Sequence, residues 1–180
     1  MPFELLILAL VIILGLTHAL EPDHVVAMRM MKGVKDYLLF GFSHGLGFAL
    51  IAIPLILIFT YFQFYGILAG DIIAVAFAIV LIYAEITEKE IEVSPRGSGL
   101  IQGAFALTPS KVIVAVLAAE GPLLIGLLYV GTFILVSSIA MLLVGLMLDY
   151  VPKRIEKGVN IGIAVVTISY VVYTILTGQL

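Results

Sequence analysis

Cysteine does not occur anywhere in the 180 residues of the chain, which excludes a disulfide framework, thiolate metal sites and thiol–disulfide chemistry. Charged residues are also scarce. They make up 12% of the chain, whereas a soluble domain averages about 25%. The phosphate-binding pattern G-x-x-x-x-G-K-[ST] is missing, so we do not expect the chain itself to hydrolyse ATP.

Apolar residues are correspondingly abundant and make up 63% of the sequence. Several apolar runs exceed the roughly 18 residues that indicate a membrane span, and their length and continuity predict helices. We therefore predict an all-α integral membrane protein with six transmembrane helices and a short turn at residues 61–66. The predicted spans cover residues 5–28, 37–60, 66–84, 99–119, 122–148 and 155–177.

The two halves of the sequence resemble each other around a proline. The segment "FALTPSKVIVA" at 105–115 aligns with "HALEPDHVVAM" at 18–28, so that Ala, Leu, Pro and Val coincide at an offset of 87. Each half holds three spans, and an odd number inverts the second repeat relative to the first. We predict a first repeat at 1–84, a cytoplasmic linker at 85–98 and a second repeat at 99–180, with the first and fourth helices broken by Pro22 and Pro109.

The basic residues predict an orientation. Eight of the nine follow the first, third and fifth predicted spans, and the ninth, Lys111, lies inside a span. Because cytoplasmic loops are enriched in Lys and Arg, these loops are expected in the cytoplasm and both termini outside. The expected location is the cytoplasmic cell membrane, which the chain crosses several times.

Two histidines, two carboxylates and a proline fall within residues 18–24. On an unbroken helix His18 and Asp23 would point about 140° apart, too far to share a small ligand. Pro22 interrupts the helix, and an unwound turn can gather these side chains. With His44 of the second span, we predict that His18, Asp23 and His24 bind one transition metal, since imidazole and carboxylate suit nickel, cobalt and zinc. A proton or anion relay and purely structural polarity are the alternatives.

Small polar residues and a lysine surround the second proline. Lys111 occupies the position equivalent to His24, and we predict that it serves as a counter-ion to Asp23 or Glu21. The alternative is a lysine that reaches water along the inner wall. The residues predicted to line or gate the pathway are Glu21, Pro22, Thr108, Pro109, Ser110 and Lys111.

The stretch from His18 to His24 fits the pattern H-x4-D-H, and it resembles the nickel/cobalt transporter family. The form "GLTHALEPDHVVAM" is most similar to the UreH-type branch, within the superfamily that includes LysE-type exporters. The resemblance implies a six-span permease in which His18, Asp23 and His24 select the metal. The second motif of the family often reads Gly-Leu-Gly-His, but Phe48 stands after the glycine here. Because positions 44 and 48 share a helix face, His44 is predicted to replace that histidine.

These patterns favour a secondary permease for Ni²⁺ or Co²⁺ that has no enzymatic activity and no cofactor. The metal is its transported substrate. A divalent metal ion and the lipid bilayer are the expected partners, nucleic acid is not, and homo-oligomer formation is left open. One alternative is an exporter of a small organic or oxyanion substrate with a LysE-like fold, which Lys111 would suit. A CcdA-like redox carrier is a further alternative, but the missing cysteines argue against it.

The predicted orientation can be tested with single cysteines, because the chain has none of its own. We expect Lys32→Cys, Lys89→Cys and Lys157→Cys to react with a membrane-impermeant maleimide only from the cytoplasmic side. Labelling of position 32 from outside and of position 157 from inside would contradict the inverted repeat.

Overall fold

A computed structural model describes residues 2–55, 59–87, 94–106, 108–119 and 122–177. Throughout these ranges the regular structure is helical, and no strand is formed. The prediction of an all-α protein is therefore confirmed. The helices are α1 (Pro2–His18), α2 (Pro22–Met28), α3 (Val34–Leu55), α4 (Phe59–Thr87), α5 (Pro95–Phe105), α6 (Pro109–Ala119), α7 (Leu123–Asp149) and α8 (Lys153–Thr177).

The same order of elements occurs in each half of the chain: two short helices joined at a bend, then two long helices. The bend between α1 and α2 is 49°, and the bend between α5 and α6 is 62°. Pro22 is the first residue of α2 and Pro109 is the first residue of α6. Proline has no amide proton and is favoured at the first position of a helix, so each proline ends one helical ladder and begins the next.

Two helices, α7 and the part of α8 from Arg154 to Thr177, are long and apolar enough to cross a membrane. Each bent pair also qualifies when it is taken as one span, which gives up to four candidates among the described residues. Large apolar side chains on the outside, such as Leu123 and Leu124 at 78% exposure and Met147 at 71%, suit contact with lipid. These features are typical of a membrane protein.

The predicted turn at residues 61–66 is wrong, because α4 runs without interruption from Phe59 to Thr87. The stretch contains no proline, and its one glycine, Gly66, costs only about 1 kcal/mol in a helix interior. Aromatic residues mark a membrane interface but do not end a helix. Helices also extend into both ends of the predicted linker at 85–98, and residues 88–93 lie outside the described ranges.

Helices α3 and α5 approach each other closely through glycines. A Cβ atom at Gly103 would overlap the carbonyl oxygen of His44. A Cβ atom at Gly47 would lie 2.5 Å from the carbonyl oxygen of Leu100. Removing side chains at such positions lets two helix backbones come into contact. This contact brings His44 next to the end of α5.

The short helix α2 is held between two apolar clusters. Val26 belongs to a cluster with Ala78 of α4 and Ala164 of α8. On another face, Ala27 and Met28 join residues of α3 and α7, among them Phe40 and Met141. Since α2 packs on several sides, its position is fixed by tertiary contacts and not by its own length of seven residues.

A polar cluster fixes the end of α2. The guanidinium group of Arg29 donates hydrogen bonds to the carbonyl oxygen of Leu148 (2.7 Å), to Glu156 (3.1 Å) and to the side-chain oxygen of Asn160. The amide of Asn160 in turn donates to Glu85. The cluster therefore ties the end of α2 to α4, α7 and α8, and its side chains satisfy one another inside the protein.

We expect Gly103→Ala to lower the free energy of unfolding by about 1–3 kcal/mol, because the new methyl group meets backbone atoms that cannot rotate away. The matched control is Gly131→Ala in α7, where a Cβ atom would meet nothing within 4 Å. That change should be neutral or stabilising by about 0.5–1 kcal/mol, since alanine favours a helix. Denaturant unfolding in detergent measures both, and equal stability of the two variants would contradict the close contact.

Candidate metal centre

All three histidines of the chain meet in one buried group. The Nε2 atom of His44 lies 3.1 Å from Nε2 of His18 and 3.3 Å from Nε2 of His24. With metal–nitrogen bonds of about 2.0–2.1 Å, two ligands of one ion lie about 2.9 Å apart at a right angle and about 3.4 Å apart at the tetrahedral angle. Both separations fall in this range, and one ligand atom from each of the three histidines lies within 4.8 Å of the others, so the group could hold one metal ion.

The bend between α1 and α2 brings His18 and His24 together. His18 is the last residue of α1, and His24 is the third residue of α2. A tight turn joins them, in which the amide of Glu21 donates to the carbonyl oxygen of His18 (3.1 Å). On a regular helix the two histidines would point about 120° apart. In the bent pair their ring centroids are 4.4 Å apart.

The second ring nitrogen, Nδ1, lies close to oxygen atoms in two of the three histidines, His18 and His24. Nδ1 of His18 is 2.9 Å from the hydroxyl oxygen of Ser110 and 2.9 Å from Oε2 of Glu21. Nδ1 of His24 is 2.9 Å from Oδ1 of Asp23. Metal-binding histidines usually donate their second ring N–H to such an oxygen, which leaves the remaining nitrogen free for the ion.

Asp23 lies beside the histidine group rather than among the three Nε2 atoms. Its carboxylate contacts Nδ1 of His24, which points away from the Nε2 atom of the same ring. Together with Glu21 and His24 it forms a second set of ligand atoms that lie within 4.8 Å of one another. A direct bond from Asp23 to the metal therefore stays a prediction, while its contact with His24 is formed in the structure.

Two hydroxyl groups at the bend between α5 and α6 (the second break) lie close to His18 at the bend between α1 and α2 (the first break). The hydroxyl oxygens of Thr108 and Ser110 lie 2.9 Å apart, and that of Thr108 is 3.4 Å from Nδ1 of His18. Ser110 donates a hydrogen bond of 2.7 Å to Oε1 of Glu21. The structure thus brings Thr108 and Ser110 to His18, whereas the predicted role of Pro109 in the pathway stays a prediction.

Lys111 makes contacts that the sequence did not indicate. Its ammonium group donates to the carbonyl oxygens of Ala106 (2.7 Å), Gln102 (3.0 Å) and Gly103 (3.3 Å). The side chain is fully buried, so the prediction that it reaches water is wrong. A helix end leaves carbonyl oxygens without partners, and Lys111 supplies three protons to those at the end of α5.

The described hydrogen bonds of Lys111 all go to backbone oxygens and none goes to Asp23 or Glu21, so the counter-ion role stays a prediction. These carbonyl oxygens belong to the last turn of α5 and the residue that follows it, and that of Gln102 also accepts a hydrogen bond from the amide of Ala106.

Gln102 is a polar residue of the site that the sequence analysis missed. It is completely buried, and its amide nitrogen donates to the carbonyl oxygen of Asp23 (3.3 Å). Its side-chain oxygen has no hydrogen-bond partner. Its position inside a predicted span could have indicated this role, because a polar side chain within the membrane needs a hydrogen-bond partner from the protein.

The arrangement offers three imidazoles and no thiolate to a ligand. Such a set suits divalent transition metals better than Mg²⁺ or Ca²⁺, which prefer oxygen ligands. Comparisons of the chain with protein-family models, with curated proteins and with solved structures find no match.

We expect Lys111→Met to destabilise the protein, because it removes three hydrogen bonds to carbonyl oxygens. The oxygen of Gln102 keeps its bond from the amide of Ala106, whereas a buried oxygen that is left unsatisfied costs about 1–3 kcal/mol. Lys35→Met, at an exposed position, is the matched control and should change stability little. Unfolding in detergent measures both variants.

A double variant separates capping of α5 from a counter-ion role of Lys111. If Lys111 mainly neutralised Asp23, then Asp23→Asn should restore the stability that Lys111→Met loses. Capping predicts no such recovery, because the carbonyl oxygens stay unpaired. Recovery in Lys111→Met/Asp23→Asn would show that the contacts to the carbonyl oxygens are of minor importance.

Proposed function

We propose that the protein is a secondary membrane transporter for a divalent transition metal, with Ni²⁺ or Co²⁺ as its preferred substrate. The observation that carries this proposal is the convergence of the Nε2 atoms of His18, His24 and His44 inside a bundle of apolar helices. Ionisable residues are costly within a membrane, and they are usually kept there for a function.

The proposal includes six spans arranged as two inverted repeats. It is supported by the repeated order of helices and by the two prolines, each at the first position of a short helix after a bend. In transporters of this design the substrate site lies where the two broken helices meet. Here side chains of the second break, Thr108 and Ser110, contact His18 at the first break.

The chemistry of the site supports a transported ion rather than a permanently bound one. Structural metal sites usually have four protein ligands, whereas three nitrogens leave coordination positions open for water or for Asp23. Incomplete coordination favours release, which a transported ion requires. Nitrogen ligands without sulfur suit Ni²⁺, Co²⁺ and Zn²⁺ better than Cu⁺.

The resemblance to the nickel/cobalt transporter family supports the same proposal, because the residues of its H-x4-D-H pattern are the ones gathered at the bend. In this proposal Asp23 orients His24, and Glu21 and Ser110 line the route to the ion. An anion exporter is less well supported, since the protons of Lys111 are taken by backbone oxygens and are not available for an anion.

We expect His18→Ala, His24→Ala and His44→Ala each to abolish most of the Ni²⁺ affinity of the purified protein. Combining them should add little, because ligands of one ion act as a unit. His44→Ala should be as severe as the others, since Nε2 of His44 lies between the other two Nε2 atoms. Calorimetry with Ni²⁺, Co²⁺, Zn²⁺ and Mg²⁺ tests this, with Tyr150→Ala, which changes an exposed residue, as the control.

Transport itself is measured in proteoliposomes that contain the wild type or the triple histidine variant, with and without a proton gradient. We expect movement of Ni²⁺ or Co²⁺ with the wild type only. Undiminished Ni²⁺ affinity in His18→Ala, or equal affinity of the wild type for Mg²⁺, would exclude the proposed site. Tight Ni²⁺ binding without transport would leave a metal-binding protein that is not a transporter.

A further inference from the structure

Ser110 makes three short polar contacts that cross between the two broken helix pairs. Its hydroxyl oxygen lies 2.7 Å from Oε1 of Glu21, 2.9 Å from Nδ1 of His18 and 2.9 Å from Oγ1 of Thr108. The side chain is buried at the start of α6, and two of its three partners belong to the region around the first break. A hydroxyl group with three partners must divide one proton and two lone pairs among them.

The protons of these groups can be assigned from their chemistry. An ionised carboxylate only accepts, so Ser110 donates its single proton to Glu21. The other two contacts then reach Ser110 as an acceptor, one from the Thr108 hydroxyl and one from the ring of His18. His18 therefore carries its proton on Nδ1, and in a neutral ring the lone pair is on Nε2. That Nε2 atom is the one that faces His44.

The rest of the histidine group agrees with this assignment. Because Nε2 of His18 is an acceptor, the Nε2 atom of His44 that faces it is the donor, and the same nitrogen also lies within hydrogen-bonding distance of Nε2 of His24. Oδ1 of Asp23 lies 2.9 Å from Nδ1 of His24, but this contact, like that of Glu21 with His18, lacks the geometry of a hydrogen bond. Consistently, Nδ1 of His44 is buried without a hydrogen-bond partner, which suits a nitrogen that carries no proton.

Glu21 lies equally close to His18 but does not replace Ser110. Its Oε2 atom is 2.9 Å from Nδ1 of His18, yet it has no hydrogen-bond partner, because the angles of that contact are unfavourable. The N–H bond of His18 is therefore directed at the hydroxyl oxygen of Ser110. The carboxylate acts mainly by accepting the proton of Ser110, which turns the lone pairs of the hydroxyl towards His18.

We infer that Ser110 is a positioning residue that holds His18 in the tautomer whose Nε2 lone pair points at the metal. The inference rests on the proposed function for its purpose, but the tautomer itself is a property of the metal-free protein. Through this bond the metal affinity depends on a residue of the second broken pair, although the three histidines all come from the first half of the chain.

The tautomer can be read directly by ¹⁵N NMR of the metal-free full-length protein with labelled histidine. Only three rings contribute, and single histidine variants assign them. We expect the wild type to carry the His18 proton on Nδ1. In Ser110→Ala the signals of His18 should shift towards a mixture of tautomers, and Ser110→Thr, which keeps a hydroxyl, should retain the wild-type form. Ser137→Ala is the matched control, because Ser137 is a buried serine that bonds only within its own helix, to Ile134.

Calorimetry with Ni²⁺ gives the second readout. We expect Ser110→Ala to bind Ni²⁺ about 10–100-fold more weakly than the wild type, and Ser110→Thr and Ser137→Ala to stay within about threefold of it. If Ser110→Ala does not fold, Ser110→Thr and Ser110→Val replace it as a pair of similar volume that differs in the hydroxyl group.

An unchanged His18 tautomer in Ser110→Ala or Ser110→Val would overturn the inference, whatever happens to the affinity. A wild type that shows the Nδ1–H tautomer, lost in Ser110→Ala, but that binds no Ni²⁺ would support the positioning of His18 and refute the proposed function. The two proposals therefore fail on different measurements.

Discussion

The interruption of the backbone hydrogen-bond ladder at two prolines determines how this bundle is built. Inside apolar surroundings each freed backbone group needs a partner from the protein itself. At the first break a tight turn supplies it, since the amides of Leu20 and Glu21 bond to the carbonyl oxygens just before them. At the second break Ala106 is extended, and a buried lysine takes the place of the missing amides. His24 and Lys111, which align in the two halves of the sequence, thus make unrelated contacts.

Composition and spacing were sufficient to predict the helical class and both breaks. They were also sufficient to expect that His18, His24 and His44 would meet, because a proline between His18 and His24 interrupts the regular helix that would point them apart. The six spans and the inversion of the second half rest on the sequence and stay predictions. These predictions rest on sequence patterns that are short or that occur in both halves of the chain.

The features that could not be predicted depend on contacts between distant segments. The task of Lys111 follows from the extended backbone of Ala106, which no residue pattern indicates. The burial of Gln102 against Asp23 depends on how α5 packs beside α2. The start of α4 was misplaced because aromatic residues report the polarity of the surroundings and say little about where a helix begins.

The glycine contact between α3 and α5 has a mechanical consequence. Because the two backbones touch, these helices must move together as one body, and His44 moves with them. His24 lies on α2, which packs against α4, α7 and α8. Arg29, at the end of α2, also donates hydrogen bonds to Leu148 of α7 and Glu156 of α8. In the proposed function, an ion held by all three rings would join His44 on α3 to His18 and His24 on the bent pair of α1 and α2. Any movement that separates α3 from this pair reduces the number of rings that can hold the ion.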